Sequence, residues 1–163
     1  MTQASARPAG MFKVAFDLDE ITPTWPPFAT ERIWARKTGF RGQLELVNIP
    51  FFALGISRGD IIRVHPDHER RELVFDEVVR HSGASTVRIL IHDESASDRI
   101  LGILRDSGCE WEFSTVDIHL AANIPESASY RNLRESLLEL KGSGSMGLEE
   151  AFISELHRSQ TMS

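Results

Sequence analysis

The apolar positions in the first half of the chain recur every second residue, while much of the second half repeats at three and four. Phe12, Val14, Phe16 and Leu18 alternate with Lys13, Ala15, Asp17 and Asp19, which predicts a half-buried strand. Pro23, Pro26 and Pro27 make residues 22–27 a loop. Residues 30–36 alternate again, with Ile33 set against Arg32, Trp34 and Arg36. Gly39-Phe40-Arg41-Gly42 reads as a hairpin turn, and residues 43–47 as its return strand. Residues 61–64 and 72–80 form a further predicted pair across the polar turn His65-Pro66-Asp67-His68-Glu69.

Between them lies the densest apolar run of the chain, N-I-P-F-F-A-L-G-I-S-R-G-D over residues 48–60. Pro50 fixes φ and removes a donor, so this stretch is loop, and Phe51, Phe52, Leu54 and Ile56 make it a plug for a small core. Ser82-Gly83-Ala84 turns the chain into residues 86–92, whose V-R-I-L-I centre is rich in β-branched residues. Ser97 is placed to cap a helix over 98–107 that ends at Gly108. Residues 109–124 are extended, but Trp111 and Phe113 have one parity and Val116, Ile118 and Leu120 the other, which requires a bulge or tight turn near Ser114-Thr115. Tyr130, Leu133, Leu137 and Leu140 predict a second amphipathic helix, Gly142 to Ser145 a flexible break, and Leu148, Phe152 and Leu156 a last short helix.

These elements imply an α+β protein. A small antiparallel β-barrel or bent sheet of about five strands precedes a ferredoxin-like β-α-β-β-α unit with both long helices on one face. Residues 1–10 form a disordered tail, 11–157 a single domain with lobes at about 11–81 and 82–157, and 158–163 a C-terminal tail; Met11 could serve as a second start. The expected core holds Phe16, Leu46, Phe51, Ile61, Val64, Phe75, Val87, Leu90, Ile100, Leu104, Ile118, Leu133 and Leu137.

Composition narrows the function classes. The formal charge of −6 argues against a nucleic-acid partner, which requires a basic face, and suits a basic protein partner. Cys109 is the sole cysteine, the N-terminus lacks an apolar signal core, and no apolar run spans a membrane; together these predict a cytoplasmic protein with no membrane association.

Candidate chemistry is sparse. Asp17, Asp19 and Glu20 are paired carboxylates that could hold a metal or act as acid and base, or form the solvated face and exit of a strand. His65, Asp67 and His68 have the types of metal ligands but read better as a hairpin tip, so no metal and no cofactor is expected. His81-Ser82-Gly83-x-Ser85-Thr86 is the most suggestive block: a histidine beside hydroxyls serves nucleophilic or acid-base chemistry, whereas the plain alternative is a turn bonded to its own backbone. Cys109 follows a helix end, where the dipole opposes a thiolate. Trp25, Phe28 and Trp34 are aromatic binding candidates, since such residues anchor interfaces; the Trp25-Pro26-Pro27-Phe28 segment either stands out as a surface or folds back over the barrel end. Arg58-Gly59-Asp60 is turn chemistry, and no phosphate loop, C-x-x-C or H-E-x-x-H is present.

The order F-D-L-D-E, W-P-P-F, Trp34, N-I-P-F-F-x-x-G-I-S-x-G-D, V-V-R-H-S-G-x-S-T-V-R and G-C-E-W-E resembles a bacterial family, the domain of unknown function 4265, over about residues 12–153. The resemblance implies the domain boundaries and no activity. Two function classes follow. One is a non-catalytic module binding a protein or small molecule, a specific version being an immunity- or antitoxin-type protein covering a basic partner. The other is a small enzyme or small-ligand binder using His81 with Ser82 or Ser85, helped by Asp17 or Asp19.

Overall fold

The structure is a computed structural model that describes residues 9–116 and 118–162. The expected disordered tail therefore lies, apart from Ala9 and Gly10, outside the described residues. In the first lobe, β1 (Met11–Asp17), β2 (Thr30–Lys37), β3 (Gln43–Leu46), β4 (Ile61–Asp67) and β5 (Glu72–Arg80) bond antiparallel in sequence order. β5 then returns beside β1, so the pairings close into a ring. That closing pair is parallel, a departure from the wholly antiparallel expectation.

The second lobe runs β6 (Ser85–Ile91), a 3-10 turn at Glu94–Ala96, α1 (Ser97–Asp106), β7 (Glu110–Phe113), β8 (His119–Ile124), α2 (Tyr130–Gly142), β9 (Met146–Phe152) and α3 (Glu155–Thr161). Its sheet has the order β7-β8-β6-β9 with every neighbouring pair antiparallel. Among the described residues the fold is thus mixed α+β with mostly antiparallel sheets and three α-helices. Among the described residues no helix is long and apolar enough to cross a membrane.

Each lobe has its own core. Val14, Phe16, Ile33, Ala35, Leu44, Leu46 and Ile62 point into the ring, as the alternation in β1 and β2 requires. In the second lobe Val87, Ile89 and Ile91 of β6 and Leu120, Ala122 and Ile124 of β8 face Ile100 and Leu104 of α1 and Leu133, Leu137 and Leu140 of α2. Each fully buried aliphatic side chain there is worth roughly 1.5–3 kcal/mol relative to exposure. The opposite parity of β6 (Thr86, Arg88 and Leu90) faces the first lobe.

Several expectations change. The last short helix is instead β9, with α3 after it. The spacing Leu148, Phe152, Leu156 is four, an even number, and fits a strand face as well as a helix face. β9 is required because β6, in the sheet interior, needs a partner on its second edge. α3 also runs into the stretch expected as a C-terminal tail. The Gly142–Ser145 break is a bonded turn: the amides of Ser143, Gly144 and Ser145 donate to the carbonyls of Glu139, Lys141 and Leu140 at 3.1, 3.0 and 3.1 Å. Ser97 is the first residue of α1 rather than its cap, and Asp93 caps the preceding turn by accepting from the Ser95 amide at 3.0 Å. In the core, Phe51, Ile61 and Leu90 are only partly buried, and their neighbours Phe52, Ile62 and Ile89 are buried instead. Val64 and Phe75 are partly buried against the ring core. Ile118 is half exposed at a φ of 68°, where the chain turns between β7 and β8.

Candidate functional site

The loop between β3 and β4 runs between the lobes. With Pro50 in it and no strand paired along it, its buried backbone groups need partners outside any ladder. Charged side chains supply them from both sides. From β2, Glu31 Oε1 accepts the Phe51 amide at 2.6 Å, and Oε2 accepts the amides of Phe52 and Ala53 at 2.9 and 2.8 Å. From β6, Arg88, only 2% exposed, donates Nη1–H to the carbonyls of Ala53 at 2.8 Å and Pro50 at 3.3 Å, and Nη2–H to Phe52 at 3.1 Å. Its Nε–H donates to Glu149 Oε1 of β9 at 2.6 Å. Farther along, Ser57 and Thr86 hydroxyls meet at 2.7 Å, and the Gly55 amide donates to the Ala151 carbonyl of β9 at 3.0 Å. Asp60, fully buried, closes the loop by accepting the amides of Ser57 and Ser82, each at 2.9 Å. Gly59 must be glycine here: its φ is +87°, and a Cβ would stand 3.0 Å from that of Ser82.

Beside this joint opens a cavity of about 190 Å³. Trp25, Leu90 and Leu148 give it apolar walls, Gly147 gives it room, and Arg88, His119 and Glu149 bring polar groups. His119 is 3% exposed. Its Nδ1 lies 2.8 Å from Ser114 Oγ, its ring stacks on Phe52 at 5.3 Å, and Trp25 meets it edge-on at 5.2 Å. Burial, and next the Arg88 charge, push its pKa down to about 4 against a weaker opposing pull from Glu149, so the ring is neutral at neutral pH.

The residues singled out by sequence are dispersed. His81 Nδ1 pairs with Asp60 Oδ2 at 3.0 Å and its ring stacks on Phe152 at 4.2 Å. Ser82 Oγ donates to the Arg58 carbonyl at 2.9 Å and accepts the Ala84 amide at 3.2 Å, as turn chemistry does. Ser85 is fully buried, accepts the Ser154 amide at 2.8 Å, and meets His157 Nδ1, not His81, at 2.6 Å. That serine–histidine pair has no exposed surface on either residue, so no substrate reaches it. Asp17 accepts two bonds from Arg70, at 2.8 and 2.9 Å, which hold its carboxyl below the usual range; Asp19 is exposed in the loop beyond. Trp25 folds back over Phe52 and His119, while Phe28, also near Phe52, stays half exposed. Trp34 lies apart from both, on the outer face of β2, where it lines an open groove of about 900 Å³ with the Lys13 ammonium 5.1 Å from its ring. Among the described residues no three His, Cys, Asp or Glu side chains are placed to hold a metal ion. Burial pushes the Cys109 thiol up to about 11, which removes it as a nucleophile at neutral pH.

Sequence reasoning passed over Glu31, Arg88, His119, Glu149 and His157. A signal existed for two of them. Arg88 interrupts V-R-I-L-I and His119 precedes L-A-A-N-I, and a polar residue inside an apolar run is either partnered or functional.

A family model described as a domain of unknown function (DUF4265) matches residues 31–148. The chain belongs to the DUF4265 family. The matched span runs from β2 into the start of β9; it includes Glu31, Arg88 and His119 and leaves out β1, Glu149 and α3. No curated protein matches the chain. Among solved structures, "Novel crystal structure of a hypothetical protein from Neisseria gonorrhoeae" is 17% identical, with a TM-score of 0.72 over 88% of this chain and 95% of that one. At that identity the likeness is one of fold.

Proposed function

We propose that this DUF4265 protein is a non-catalytic binding module of the cytoplasm whose second lobe meets a basic protein partner, as immunity- and antitoxin-type proteins do. One observation carries the reading. Residues 82–163 hold 13 Asp and Glu against 7 Lys and Arg, whereas residues 1–81 hold 11 of each, so the whole net charge of −6 sits in the second lobe. A one-signed surface speeds encounter with an oppositely charged partner. The β-α-β-β-α-β order of that lobe, which we read as ferredoxin-like, leaves β7 at a sheet edge, where Glu112 is exposed beside the half-exposed Phe113 and Ile118, and Glu110 is paired with Arg58 at 2.6 Å. Acidic residues around apolar anchors suit a basic surface with its own apolar patch.

Immobilised protein challenged with native lysate at about 50 and 500 mM salt tests this, with retained proteins identified by mass spectrometry. The expected partner is basic, is released by the higher salt, and is lost by Glu112→Lys combined with Phe113→Ala. A partner that binds that variant undiminished, or that ignores salt, overturns the proposal.

A further inference from the structure

We propose that the cavity between the lobes is a binding site for a small aryl monocarboxylate. The site is built rather than incidental, because two of its polar side chains, Arg88 and His119, are almost wholly buried. Buried polar groups ordinarily complete their hydrogen bonds. The joint and Glu149 use four of the five N–H groups of Arg88, and the fifth has no partner among the described residues. His119 commits Nδ1 to Ser114, which leaves Nε2 as the ring's other hydrogen-bonding atom. Both side chains line the cavity. Trp25, Leu90 and Leu148 complete the lining with apolar surface, Trp25 meeting the His119 ring edge-on at 5.2 Å.

Size and charge select the ligand. An enclosed apolar cavity of roughly 150 Å³ holds benzene; this pocket is open on one side and offers about 190 Å³, space for a benzene ring carrying one carboxylate. Arg88 and Glu149 are the charged groups that act on His119, and the guanidinium acts more strongly. Glu149 and, from the joint, Glu31 also act on that guanidinium; what favours an anion there is its unused N–H, which a carboxylate can accept. Glu149 takes the Nε–H and Phe52 one N–H of Nη2, which leaves a single Nη2–H for the ligand. A carboxylate set against His119 would also favour the charged imidazole. Binding would then take up a proton and tighten as pH falls, by about tenfold from pH 7.5 to 5.5 if the ring returns to an ordinary pKa near 6.5. This site is independent of the acidic face proposed for a protein partner.

The test is a titration of the intact protein with benzoate, followed by NMR of the His119 ring and the Trp25 indole. Benzyl alcohol, which lacks the charge, and acetate, which lacks the ring, serve as comparisons. Benzoate is expected to bind saturably, about tenfold more tightly at pH 5.5 than at 7.5, and both comparison compounds at least about tenfold more weakly. Gly147→Leu should abolish binding by filling the cavity. Its Cβ would meet the His92 ring at 3.5 and 3.6 Å and Leu90 at 3.8 Å, ordinary contacts, at a backbone angle that side chains accept. If that variant melts more than a few degrees early, Trp25→Ala, which removes an apolar wall, replaces it. His119→Gln should bind with no pH dependence. Absence of saturable shifts at about 10 mM benzoate and pH 5.5, equal affinity for benzyl alcohol, or undiminished binding when the cavity is filled would each overturn the assignment.

Discussion

The two lobes handle charge in opposite ways. In the first, cations and anions are equal in number and are laid against each other across strands: Arg70 holds Asp17 and Glu72, Arg32 also holds Glu72, Arg36 holds Glu45, and Arg63 holds Glu77. In the second, carboxylates outnumber cations nearly two to one and many stand exposed, among them Asp98, Asp106, Glu112 and Glu135. Between the lobes the pattern is different again. There Glu31 and Arg88 are buried and bond to the backbone of one loop, the acid to its amides and the base to its carbonyls. Charge placed against charge at a surface stabilises little. Charge placed against orphaned backbone dipoles in a buried joint is costly to remove, because both partners are then left without solvent.

That contrast ranks the consequences of mutation. Arg88→Met should have the largest effect, about 4 kcal/mol, since it strands the carbonyls of Pro50, Phe52 and Ala53; urea unfolding monitored at Trp measures it. Glu31→Gln should follow at about 3 kcal/mol, because one amide oxygen cannot replace two carboxylate oxygens serving three amides. Acidification comes next. His119 titrates at about 4 when folded and near 6.5 when unfolded, so between those values the unfolded state binds the extra proton. Stability is therefore full above about pH 6.5 and falls as pH drops toward 4, by about 2 kcal/mol at pH 5. Buried His157, whose pKa burial also lowers, adds to the loss in the same direction. His119→Gln should flatten the slope of stability against pH. Asp17→Asn, which breaks an exposed pair, should change stability by only about 0.5 kcal/mol. An effect there as large as at Arg88 would erase the distinction between surface pairing and joint.

In the first lobe β1 was legible because large apolar residues alternate with polar or small ones. Phe12, Val14 and Phe16 against Lys13, Ala15 and Asp17 admit a single orientation. Where apolar residues are doubled, as in Phe51-Phe52, Ile61-Ile62 and Ile89-Leu90, parity gives no orientation, and each core assignment fell one residue away from the buried member. β9 was hidden by a spacing of four. The joint was hidden for another reason: a sequence exposes a lone buried charge but not its partner. The hydroxyl of Ser85 was noticed, yet the imidazole it meets is 72 residues away in α3, and the nearby His81 is occupied by Asp60.

The central claim is that one loop, gripped by opposite charges, makes a single body of two unlike lobes. Amide hydrogen exchange at Phe51, Phe52 and Ala53 tests it most directly. If Glu31 holds these amides as described, they open only with the whole molecule, and their exchange free energies lie within about 1 kcal/mol of global unfolding. Exchange within about tenfold of the rate for a free loop would contradict the claim.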